Sequence, residues 1–82
     1  METIMLNGAD YRTADELHSA LKNLLSLPEY YGKNADALND CLSDRKEPVS
    51  LWIAGKGEGD VARAMELVSR VVADNGGNVK EI

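Results

Sequence analysis

The chain has 82 residues, 44% hydrophobic and 28% charged, which suits one ordinary globular domain over residues 1–82. A chain this short buries only about 60% of its unfolded surface, enough for one sheet and a few helices and too little for a barrel-sized enzyme. Fourteen acids against nine Lys and Arg give a net charge of −5, which argues against nucleic acid or an anionic membrane as partner and permits a basic one.

Ile4-Met5-Leu6 closes on the turn signal Asn7-Gly8 and predicts a first strand over 2–6. Thr13 followed three residues later by Glu16 is a capping-box pattern. Leu17, Leu21, Leu24 and Leu25 follow at helical spacing, so a first helix is expected over 14–25, ending before Pro28. Asn34 is a good N-cap for a second helix over 35–43, with Ala35, Leu38, Cys41 and Leu42 on its apolar face. Past Pro48, the run Val49 to Ile53 reads as the second strand and Gly55 to Gly59 as a loop. Asp60 is expected to cap a third helix over 61–74, with Val61, Ala64, Met65, Val68, Val71 and Val72 inward. Asn75-Gly76-Gly77 ends it. Val79 and Ile82 fall in a weak last strand. The order β-α-α-β-α-β predicts an α/β domain of two layers, a three-stranded parallel sheet with helices on one face.

The lone Cys41 excludes an internal disulfide, and no Cys/His set suggests a zinc site, so no cofactor or metal is expected. The start Met1-Glu2-Thr3 lacks the pattern of a signal peptide, and no apolar run nears the roughly 20 residues of a membrane span. These features point to a reducing, cytoplasmic setting. His18, with no second histidine, reads as a partly buried structural residue, and Cys41 as a small buried hydrophobe. Gly55-Lys56-Gly57-Glu58-Gly59 invites a phosphate-loop reading. Lys56 is followed by Gly57 rather than Ser or Thr, and Glu58 and Asp60 would repel a phosphate, so a flexible connector fits better.

The strongest signal is charge. Asp36, Asp40 and Asp44 recur at i, i+4 and i+8 and line up on one helix face. Between Pro28 and Asp44 there are four acids and one base, Lys33. Either this is a solvated face or it is an anionic surface for a cationic partner. Tyr30 and Tyr31 precede it, and one is expected to pack inward while the other stays available.

Leu27-Pro28-Glu29-Tyr30-Tyr31-Gly32-Lys33-Asn34-Ala35-Asp36-Ala37-Leu38-Asn39-Asp40-Cys41-Leu42 closely resembles the barstar family of intracellular inhibitors of secreted ribonucleases. Leu6-Asn7-Gly8 and Asp15-Glu16-Leu17-His18 extend the likeness, which is close over residues 1–54 and holds in outline beyond. The resemblance implies a protein that is not an enzyme. It implies that the second helix and the loop before it plug a basic ribonuclease or related toxin, as a monomer in a 1:1 complex. Carried over by position, Tyr30, Gly32, Asn34, Ala35, Asp36, Asn39, Asp40, Ser43 and Asp44 form the binding surface. Asp40 is then the central acid, in the enzyme's phosphate pocket, and Asp36 its neighbour.

The chain departs from the family pattern where Asn39 and Arg45 replace aromatic residues. It departs again where Val71-Val72 falls near a glutamate of the family's namesake, and where the Gly55–Gly59 loop stands in for a short helix. Arg45 would meet a basic enzyme unfavourably unless an acid faces it. The competing readings are a small phosphate or nucleotide-binding domain using the Gly55–Gly59 loop, and a regulatory protein that keeps the fold without inhibiting.

Overall fold

Alternating burial of Ile4 and Leu6, and of Val49, Leu51 and Ile53, turns one face of two strands toward a core. The computed structural model describes residues 2–82 and contains strands β1 (Glu2–Asn7), β2 (Val49–Gly55) and β3 (Asn78–Glu81). Its helices are α1 (Ala14–Leu24), α2 (Ala35–Ser43) and α3 (Gly59–Asp74), with a 3-10 turn at Gly8–Asp10. The strands form one parallel sheet in the order β1-β2-β3, and the element order is the expected β-α-α-β-α-β. The weak C-terminal strand is thus a fully paired edge strand, running from Ser50↔Asn78 to Ile53↔Glu81.

The core lies between the inner sheet face and the helices. Leu6, Leu17, Leu21, Leu38, Leu51, Met65, Val68 and Val72 are its largest fully buried side chains. The other sheet face is exposed apart from Ser50: Met5, Trp52 and Lys80 share one register row across the three strands, with the Lys80 ammonium 5.5 Å from the Trp52 ring centroid. Among the described residues no helix is long and apolar enough to cross a membrane.

Three expectations are corrected at element ends. Helix α1 stops at Leu24, one residue early, because Ser26 turns left-handed (φ 52°) and lets the Leu27 amide reach the Lys22 carbonyl. The capping box closes one residue further out. Thr13 Oγ1 accepts from the Glu16 amide at 3.1 Å, while the Glu16 carboxylate accepts from Arg12 N at 2.7 Å. Asp60 is not the cap of α3. Gly59, at φ 58°, turns the Glu58 carbonyl onto the amides of Val61 and Ala62, so the helix starts at Gly59 and Asp60 lies inside its first turn.

Candidate functional site

The segment before α2 is built by hydrogen bonds that its own sequence supplies. The Tyr31 amide donates to the Pro28 carbonyl at 2.9 Å, closing a turn that separates the two tyrosines. Tyr31 is buried, and its hydroxyl lies 2.6 Å from His18 Nδ1. Tyr30 is 87% exposed, so one ring anchors the loop and the other is presented. Burial raises the Tyr31 phenol well above its ordinary range. Burial also lowers His18, against a smaller opposing pull from Asp15, and the side chain, expected to be partly buried, is buried outright.

Asn34 then locks the loop to the helix. Its Oδ1 accepts from the Ala37 amide at 2.8 Å and its Nδ2 donates to the Gly32 carbonyl at 3.2 Å. Between them Lys33 takes a left-handed backbone (φ 56°), a conformation that costs a non-glycine residue free energy and is held here by both neighbours.

Charges around this segment are sorted into paired and unpaired sets. Lys22 bonds Glu29 at 3.0 Å and Lys33 lies 3.7 Å from Asp15. Asp36, Asp40 and Asp44 have no Lys or Arg within ion-pair distance among the described residues, and all three are exposed. Asp36 sits in the first turn of α2, where the helix dipole favours it. Asp44 is the C-cap. Gly32, Asn34, Asn39 and Ser43 are also exposed and Ala35 is half-buried, so none of the nine carried-over positions lies in the core. The Ser43 hydroxyl donates to the Asp40 carbonyl at 3.0 Å.

Arg45 behaves differently from a free cation. Its guanidinium turns inward, donates to the Leu25 carbonyl at 3.0 Å and pairs with the Glu2 carboxylate. The acid that faces it belongs to β1, so the charge is spent tying three elements together. Cys41 is half-buried rather than buried. Its thiol is raised first by burial and then by Asp40 and Asp44, against a smaller lowering by Arg45, which favours the protonated form.

A residue not foreseen is Asn75. It was expected only to end α3, yet its side chain donates to Asn39 Oδ1 at 2.9 Å, across 36 positions of sequence. No local signal announces such a contact.

The glycine loop has a packing explanation. A Cβ on Gly8 would come within 2.3 Å of the Gly57 nitrogen, and Gly57 itself is left-handed at φ 74°. The loop backbone therefore rests directly on the 3-10 turn, with Glu58 and Asp60 crowding the start of α3. Among the described residues no cluster of three or more His, Cys, Asp or Glu is arranged to hold a metal ion.

Residues 1–74 match the protein family described as Barstar (barnase inhibitor). A 43-residue stretch is 46% identical to the protein named "Putative ribonuclease inhibitor YrdF" from Bacillus subtilis (strain 168). That alignment covers 52% of this chain and 47% of its relative, about half of each.

Proposed function

The chain belongs to the barstar family, and from that premise we propose that it is a single-domain cytoplasmic inhibitor of a secreted, basic microbial ribonuclease or related toxin, acting as a monomer in a 1:1 complex. The family is one of inhibitors and not of enzymes. The observation that supports the reading most is the row of three exposed aspartates on α2 and its C-cap, unpaired among the described residues, with the exposed Tyr30 in the loop before the helix.

A ribonuclease site holds its phosphate with Arg, Lys and His. Carboxylates three or four residues apart on a helix stand roughly 5–6 Å apart at Cβ, close enough to imitate neighbouring phosphate charges. Asp40 enters the phosphate pocket and Asp36 pairs with a cation beside it. Charge-assisted bonds to Arg are short and directional. Asn34 and Gly32 hold the loop in its bound shape, which lowers the ordering cost of association. Tyr30 supplies apolar area with a hydroxyl. Ala35 lets the partner approach the helix closely. Asn39, Ser43 and Asp44 complete the contact.

The test is a titration of a basic barnase-type ribonuclease with this protein while RNA cleavage is followed. Activity is expected to fall linearly to a break at one equivalent. Full cleavage at excess protein would favour a regulatory role on the same fold. Stabilisation of the melting temperature by nucleotides would favour the Gly55–Gly59 loop as a phosphate site.

A further inference from the structure

We propose that the Asn39–Asn75 pair turns Asn39 into an oriented donor that selects ribonucleases carrying a hydrogen-bond acceptor, a backbone carbonyl or a carboxylate, beside their cationic site. The proposal rests on the inhibitor reading and specifies its partner.

The orientation follows from chemistry. Asn75 Nδ2 lies 2.9 Å from the Val71 carbonyl oxygen and 2.9 Å from Asn39 Oδ1. Amide oxygen and nitrogen are nearly alike in shape, but the Val71 carbonyl can only accept, so the Asn75 atom facing it is the nitrogen. Its two hydrogens are spent on Val71 and Asn39. The Asn39 atom that faces Asn75 must therefore accept, and it is Oδ1. Asn39 Nδ2 is left turned outward, with two hydrogens and no partner among the described residues. It is exposed and adjoins Asp40 in sequence.

The strip thus carries two opposite demands. Asp36 and Asp40 ask for donors, and Asn39 asks for an acceptor. An enzyme offering only cations there would bury an amide donor against its own donors, which is costly. An enzyme with an acceptor at that point satisfies all three. Asn75 acts as the positioning residue, because without it the Asn39 amide rotates freely and offers either end.

The test reverses the sign expected from charge alone. Asn39→Asp keeps an oxygen toward Asn75, replaces the outward donor with an acceptor and adds a negative charge. Electrostatics alone would tighten binding to a basic ribonuclease. The proposal expects calorimetry at fixed salt to show about tenfold or greater weakening, with an unchanged melting transition as the check on folding. Asn75→Ala should weaken binding severalfold in the parent and leave affinity unchanged in an Asn39→Ala background, which a purely structural role would not produce. Equal or tighter binding by Asn39→Asp, with Asp40→Ala still impaired, overturns the proposal and leaves the inhibitor reading standing. If Asp40→Ala also binds as the parent does, the inhibitor reading falls and the proposal with it.

Discussion

Asp40 has an aspartate one turn before it and another one turn after it, and no cation of its own chain within reach among the described residues. In a complex its carboxylate would be taken out of water against a partner cation. Removing it leaves that cation buried and unpaired, which typically costs about 3–5 kcal/mol. Asp40→Ala is therefore expected to weaken ribonuclease binding by that amount, more than Asp36→Ala and far more than Asp74→Ala. Helicity should be retained, because Asp40 is exposed and alanine is a good helix former. Calorimetric titrations of the three variants provide the ranking. His18 gives a prediction of a different kind. Burial lowers its folded pKa below the unfolded value of about 6.5, so the unfolded chain takes up a proton first as the medium is acidified. Its contribution to stability is complete above pH 6.5 and is lost as pH falls through the folded value. Urea unfolding between pH 7 and pH 5 should show a falling midpoint whose slope is reduced in His18→Gln. An identical slope in both proteins would contradict the role given to this residue. At this scale the aspartate spacing was legible, because spacing on one helix is local information, whereas the sequence called for one inward tyrosine without showing that it is Tyr31. The Glu2–Arg45 and Asn39–Asn75 contacts join positions 43 and 36 apart, and nothing local in the chain encodes them.

Helix α2 has only nine residues, too few for a free helix to persist in water. Its order comes from burial of Leu38 and Leu42 and from the Asn34 cap. Asn34→Ala is expected to cost about 1 kcal/mol in chemical denaturation. It should also weaken ribonuclease binding, because the Gly32 carbonyl loses its tether. A loss of stability with unchanged affinity would detach the cap from the contact surface. The start of α3 shows where element boundaries escape a sequence reading. Asp60 has the right chemistry for a cap, but the left-handed Gly59 before it moves the helix start back and leaves Glu58 in the cap position without a side-chain bond. Gly8 is a further test of the loop. Gly8→Ala places a methyl against the Gly57 backbone and should destabilise the fold by about 1–3 kcal/mol, as overpacking does. A neutral result in thermal unfolding would show that the loop is free of the 3-10 turn.

Across the whole molecule the helices cover one face of a three-stranded sheet, and three of the acids, Asp36, Asp40 and Asp44, are exposed along α2 and its C-cap. The net charge of −5 would give a field attractive to a basic enzyme, and on the proposed reading the unpaired aspartates focus it at the contact. Complementary fields act chiefly on the rate of encounter, and salt screens them over about 10 Å at 0.1 M. The fold class was readable because amphipathic periods and turn residues agree along the chain. The pairing of β3 was weaker in the sequence because an edge strand of four residues has little apolar pattern to show. The central claim is that the α2 aspartates are the surface that meets the ribonuclease. Stopped-flow association with the target ribonuclease, from low to high salt, tests it most directly when the parent is run beside a variant carrying Asp36→Asn, Asp40→Asn and Asp44→Asn. The parent should associate quickly at low salt and slow steeply as salt rises, and the variant should associate slowly with a nearly flat salt dependence. Parallel salt dependences in the two proteins, at equal rates, would contradict the claim.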